Sequence, residues 1–89
     1  MTDQPTETLL TFPCEFTIKV FGLNTDDFEK TVLSIMSQHL GNSDRVLQHR
    51  DSEGGKYRSY SITIEAQSKD QLDAIYRDLS AAPNIIMTL

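Results

Sequence analysis

Cysteine, tryptophan and long apolar runs are what this 89-residue sequence is shortest of. Its single cysteine, Cys14, rules out a disulfide framework or a cysteine metal cluster within one chain, and no metal ligand set or cofactor is expected. A lone thiol suits a reducing, cytoplasmic compartment. No apolar run approaches the ~18–20 residues of a membrane span, and no basic-then-apolar leader opens the sequence, so no membrane association is expected. Positive charge is also scarce. Eight Lys plus Arg stand against 13 Asp plus Glu, a net charge of −5 and a pI near 4.7. Such a chain repels phosphate backbones, which disfavours nucleic acid unless its cations cluster. The length allows one domain, with a core that is thin for its surface.

What is present is periodic. Met1 to Thr8 carries no apolar side chain beyond the first methionine and is expected to be a disordered tail, leaving residues 9–89 as the domain. Leu9, Leu10 and Phe12 make a short apolar hook ending at Pro13, which biases Phe12 toward extended geometry. Glu15 to Phe21 alternates: Phe16, Ile18 and Val20 point one way, Thr17, Lys19 and Phe21 the other, and Gly22 is expected to stop the strand. Thr25 is placed to cap a helix, with Asp26, Asp27 and Glu29 at its positive end. Phe28, Val32, Ile35, Met36 and Leu40 share one helical face, and Gly41 ends it.

Asp44 to Arg50 reads as a weaker strand whose register is open, since its two apolar residues, Val46 and Leu47, point to opposite faces. The cluster from Asp51 to Gly55 predicts a hairpin into Tyr57–Ala66, the clearest strand. There Tyr60, Ile62, Ile64 and Ala66 alternate with Tyr57, Ser59, Ser61, Thr63 and Glu65. Ser68 and Gln71 form a capping box before an amphipathic helix carrying Leu72, Ile75, Tyr76 and Leu79. Pro83 cannot continue that helix, and Asn84 to Leu89 is an apolar last strand. The order β-α-β-β-α-β predicts an α+β, ferredoxin-like sandwich: an antiparallel four-stranded sheet of order 4-1-3-2 with both helices on one face.

Three stretches resemble the YbeD-like family of small bacterial proteins: Leu10-Thr11-Phe12-Pro13, Phe16 to Gly22, and Tyr57 to Ile64. The end, with Leu72, Tyr76, Leu79 and Met87-Thr88-Leu89, is similar as well. The resemblance spans about residues 9–89 and implies a ferredoxin-like fold similar to ACT-type regulatory domains of amino-acid enzymes. It implies no catalytic residues, and it carries a genomic association with lipoate attachment.

A fold of this class selects no chemistry by itself. A copper chaperone needs two thiolates after the first strand, whereas Cys14 is single, precedes that strand, and is expected as a small buried residue. Acylphosphatase-like chemistry needs an arginine in the loop after that strand. Here that loop reads Gly22-Leu23-Asn24-Thr25-Asp26-Asp27, and two carboxylates repel an anion. His39 falls in the last turn of the first helix, where a cation meets the negative dipole end, and His49 is expected in solvent. Ser59 and Ser61 would be nucleophiles only with a base opposite them, and as polar strand residues on an open face they need no such role. No catalytic residue is therefore assigned. RNA-recognition domains share the topology, and Gly55 to Tyr60 faintly echoes their third-strand motif, but Tyr60 has core parity.

Binding is the reading that remains, by a regulatory or adaptor domain whose partner is a protein or a small metabolite. A sheet face of Thr17, Lys19, Phe21, Ser59, Ser61 and Thr63 has nothing in the chain left to cover it. The strand at 84–89, expected at a sheet edge and free of internal Lys or Pro, offers homodimer pairing. In ACT-like domains small effectors bind at the Gly-containing loop, which places Gly22, Asn24 and Thr25 as a candidate ligand site, with an effector sensor linked to lipoate metabolism as the alternative function. An RNA-binding module is the remaining alternative.

Overall fold

A computed structural model describes residues 11–89. The expected tail at residues 1–8, and Leu9 and Leu10 of the hook, lie outside the described residues. The elements are β1 (Cys14–Leu23), α1 (Asp26–Leu40), β2 (Arg45–Asp51), β3 (Tyr57–Ala66), α2 (Lys69–Ala81) and β4 (Ile85–Thr88). The strands form one sheet ordered β2-β3-β1-β4, the expected order read from the other edge. All three pairings are antiparallel. The fold is ferredoxin-like.

Alternation places the core. Ile18 and Val20 of β1 and Tyr60, Ile62, Ile64 and Ala66 of β3 meet Phe28, Val32, Ile35, Met36 and Leu40 of α1 and Leu72, Ile75 and Leu79 of α2. Removing these groups from water supplies the main favourable free energy of folding, about 1.5–3 kcal/mol for each large side chain. The Phe28 and Tyr60 rings pack at a centroid distance of 5.3 Å and a tilt of 47°. Phe12, Cys14 and Phe16 are half-buried against this core. Cys14 is therefore less enclosed than expected, because it lies at the first position of β1, at the sheet's end.

The helix ends follow their local chemistry. Thr25 Oγ1 accepts the Phe28 N–H at 3.1 Å, and Asp26, Asp27 and Glu29 occupy the first turn of α1. Gly41 ends α1 with φ +56°, and its N–H donates to the Ser37 carbonyl. Ser68 Oγ accepts the Gln71 N–H at 3.0 Å, while Gln71 Oε1 accepts the Gln67 N–H at 2.8 Å. His39 reaches beyond its own helix end: Nε2 lies 2.6 Å from Asp78 Oδ2, tying α1 to α2.

One expectation is overturned. Gly22 does not end β1; the strand runs through it to Leu23, and Gly22 is buried. A β-carbon placed there would sit 2.7 Å from Phe28 Cδ1 and Cε1 and 2.8 Å from the Asn84 carbonyl oxygen. The glycine is a point of close approach between sheet, helix and the β4 lead-in, not a turn. The bound at the other end also moves, since β1 begins at Cys14 and not Glu15.

Candidate sheet-face binding site

Both helices lie against one face of the sheet, so the register defines what the other face displays. In β1–β3, Thr17 pairs with Thr63, Lys19 with Ser61, Phe21 with Ser59 and Leu23 with Tyr57. Paired residues point to the same side, so the six expected face residues Thr17, Lys19, Phe21, Ser59, Ser61 and Thr63 do come together. Thr17 Oγ1 and Thr63 Oγ1 hydrogen-bond at 2.9 Å across the strands. The open register of β2 is resolved by its partner: Val46 faces Thr63, Gln48 faces Ser61 and Arg50 faces Ser59, which puts Val46 on the open face and Leu47 on the helix side. On the far side Met87 faces Phe21, and reciprocal bonds between Lys19 and Leu89 of 3.1 and 2.8 Å extend the pairing to the end of the sequence. An irregularity between Phe21 and Gly22 lets Ile85 oppose Gly22, which resets the alternation of β4.

The face therefore consists of transverse rows. Glu15 and Glu65 face one another at one end. Val46, Thr63 and Thr17 come next, then Gln48, Ser61, Lys19 and Leu89, then Arg50, Ser59, Phe21 and Met87, and finally Tyr57 and Leu23. One end is acidic, the middle is polar along β1 and β3 with exposed Val46 and Leu89 at its margins, and the other end is apolar with cations at its margins. Leu23, Tyr57 and Met87 are 45%, 43% and 48% exposed, large apolar side chains left to solvent in one neighbourhood. Phe21 and Tyr57 line a shallow concavity of about 220 Å³ with Arg50, Asp51, Ser52, Arg58 and Ser59.

The hairpin between β2 and β3 builds one wall of that concavity. Gly54 and Gly55 take φ +86° and +77°, which side-chain-bearing residues rarely adopt, and the turn is closed by Gly55 N–H to Ser52 O at 2.8 Å and Ser52 N–H to Tyr57 O at 2.9 Å. Ser52 Oγ also accepts the Tyr57 N–H at 3.0 Å. Next to it Arg58 donates to both oxygens of Asp51, Nε to Oδ1 at 2.6 Å and Nη2 to Oδ2 at 3.2 Å. Those donated bonds hold the Asp51 carboxyl below its ordinary value, and they raise the Arg58 guanidinium, to which the Tyr60 hydroxyl contributes. Lys56 lies over the Tyr57 ring at 5.4 Å from its centroid.

The residues expected to hold a small ligand have other partners. The open side of Gly22 is filled by the Phe28 ring. Asn24 donates from Nδ2 to the Gly55 carbonyl at 3.0 Å and from its backbone N–H to Lys56 O at 2.9 Å, binding the β1–α1 loop to the hairpin. Thr25 caps α1. Tyr60 is 2% exposed and offers no ring to a base. His49 is exposed, its ring centroid 6.0 Å from that of Tyr60 at an interplanar angle of 64°. Among the described residues no three His, Cys, Asp or Glu side chains gather as metal ligands, and no helix is long and apolar enough to cross a membrane. Among the described residues the expected edge segment 84–89 lies at the sheet edge, with β4 paired to β1 on one side only. Tyr76 Oη donates to the Leu89 carbonyl at 2.9 Å, holding the end of that segment to α2, and burial pushes the Tyr76 phenol up.

Sequence reasoning missed Leu23, Arg50 and Met87 on the open face. The alternation Phe21-Gly22-Leu23 held the signal for the first, but taking Gly22 as a stop concealed it. The other two depend on pairing partners far away in the chain.

The chain matches the family model described as "Protein of unknown function (DUF493)" over residues 7–89. A UPF0250 protein of Chromobacterium violaceum is 37% identical over the whole of both chains. Another, from Paraburkholderia phymatum, is 37% identical over 93% of this chain and 94% of its own. The solution structure of protein HP0495 from Helicobacter pylori superposes with a TM-score of 0.75 at 17% identity, over 100% of this chain and 98% of that one. That likeness is one of fold. The chain belongs to the DUF493 family, the YbeD-like family that its strands resembled.

Proposed function

We propose that this DUF493 chain is a non-enzymatic regulatory or adaptor domain that docks a protein partner through the open face of its sheet. The observation that supports the reading is the exposure of Leu23, Tyr57 and Met87 around Phe21, on the face that neither helix covers. A wet sheet face is normally polar, and the Thr17–Thr63 pair of this one obeys that rule, with exposed Val46 the apolar exception at the β2 edge of its row. The Phe21 end carries apolar area that a partner would remove from water. The reading places the protein in the cytoplasm, in keeping with one free thiol. It assigns no residue to catalysis.

The test is capture of partners by the immobilised chain, compared with Lys19→Glu combined with Phe21→Ala. Both side chains lie on the open face, so the fold should survive, as circular dichroism would show. The partner is expected to be lost. Capture unchanged by the double variant would place the interface elsewhere, on the free edge of β4, where pairing with a second copy would appear as a dimer in sedimentation. The effector reading at Gly22, Asn24 and Thr25 requires those groups to leave their present partners. A metabolite screen that raised the melting temperature would revive it, together with its link to lipoate metabolism.

A further inference from the structure

We infer that the Phe21 end of the open face takes an extended acidic peptide segment of a partner protein, one apolar side chain entering the concavity and flanking carboxylates meeting Arg50 and Lys19. This rests on the docking role proposed above and names the chemistry of its partner. The concavity of about 220 Å³ is smaller than the roughly 300–1,000 Å³ that encloses a small-molecule ligand, but it admits a single leucine- or phenylalanine-sized side chain. Its walls are the Phe21 and Tyr57 rings, and Met87 and Leu23 continue the apolar surface beyond them.

Charge supplies the second half of the argument. The chain is acidic overall, yet this end of the face is not. Asp51, the carboxylate lining the concavity, is held by two hydrogen bonds from Arg58. Arg50, Lys19 and Lys56 form none of the ion pairs found among the described residues. Arg50 lies in the same row as Phe21, and Lys19 two residues before it on the same face, about 7 Å along the strand. Glu53 in the hairpin turn, and Asp26 and Asp27 just past Leu23 at the start of α1, are the carboxylates of this end that oppose them. Screening confines each charge to about 8–10 Å, so a short carboxylate-bearing segment meets these cations and not the distant acidic surface.

A nucleic acid fits the same face less well. A strand following β1 toward its start would run from the cations onto Glu15 and Glu65. The exposed apolar groups are mainly aliphatic, and stacking needs rings. A peptide can place its carboxylates at one end and polar side chains over Thr17 and Thr63.

The probe is an array of acidic heptapeptides in which a leucine, methionine or phenylalanine is scanned through a glutamate background, with the retained peptides measured by fluorescence anisotropy on the full chain. Amide shifts on binding should centre on Phe21, Arg50 and Tyr57 and leave Glu15 and Glu65 unmoved. Replacing the glutamates of a retained peptide with lysine should weaken it by roughly tenfold or more, and Arg50→Glu should do the same. Phe21→Ser should abolish binding, with Arg50→Glu serving as the variant that leaves packing intact. Equal binding of the lysine peptide, or shifts centred on the helices or on β4's free edge, would overturn the inference. So would tighter binding of polyuridine, or a dimer in sedimentation that protects Phe21 and Tyr57. Failure of every acidic peptide, while partner capture still depended on Lys19 and Phe21, would remove the peptide chemistry and leave the docking role standing. Capture indifferent to those two residues would remove both.

Discussion

On β1, Ile18 and Val20 are sealed from solvent, while Thr17 and Lys19 beside them are exposed; on β3, buried Ile62 and Ile64 alternate with half-buried Ser61 and Thr63. One backbone thus serves two faces that answer to different demands. The helix-covered face is filled by branched and aromatic side chains that must match Phe28, Ile75 and Leu79 in shape. Among the described residues the open face has no such partner, so packing within them does not select its side chains. Packing among the described residues does not require the exposed apolar groups around Phe21, and the proposed docking role accounts for them.

The contrast is easiest to break by substituting on either side of one strand. Ile62→Ala on the covered face should cost about 3–4 kcal/mol, since Ile62 is fully buried and its surroundings relax only in part around the cavity. Ser61→Ala, one residue away on the open face, should change stability by less than about 0.5 kcal/mol. At roughly 4–8 °C per kcal/mol for a domain of this size, thermal melts separate the two easily. A large loss for Ser61→Ala would mean that the open face is packed after all.

A smaller effect sharpens the contrast at the one place where the faces touch through a glycine. Gly22→Ala in a strand would ordinarily be neutral or mildly stabilising. Here the added carbon meets the Phe28 ring at 2.7 Å and the Asn84 carbonyl at 2.8 Å, so a loss of about 1–3 kcal/mol is expected. The same substitution in a Phe28→Leu background should cost less than it does alone, since part of the obstruction is gone. A coupling near zero in that double-mutant cycle would show that the Asn84 backbone, and not the ring, demands the glycine.

The same residues show how much could be read from the sequence. Tyr57 to Ala66 alternates so cleanly that its two faces were legible at once, because buried and wet environments select opposite residue types. The caps at Thr25 and Ser68 were legible because they depend on three or four neighbouring residues. Gly22 was misread because the ring that fills its β-carbon position arrives from another element. β2 had no readable register because it lies at the edge, with only Leu47 and Val46 to carry a pattern; its pairing with β3 and the Gly54–Gly55 turn decide it. The candidate site suffered most. Its polar members follow from alternation, but the apolar end needs Leu23 past the glycine, Arg50 across the hairpin and Met87 after an irregularity in pairing.

The smallest expected effect concerns side chains with covered-side parity that the helices do not reach. Asp51 and Arg58 face each other across β2 and β3 near the hairpin, and their two hydrogen bonds substitute for packing at a wet position. The donated bond from Arg58 is the main reason that the Asp51 carboxyl lies below its ordinary 3.8; burial opposes it, and the charges of Arg58 and His49 add to it. Because the folded form holds that proton less tightly than the unfolded form, the pair's contribution is present above pH 3.8 and is lost as the pH falls through the lowered folded value. Urea midpoints measured from roughly pH 6 to pH 2 should therefore show Asp51→Asn slightly less stable than the parent at the upper end, the two converging toward the lower. Added salt should shrink the gap, as expected of an exposed pair. A gap that persisted unchanged to the acid end would mean that the bonds matter for their geometry and not for their charge, and that the hairpin wall of the concavity stands without an ion pair.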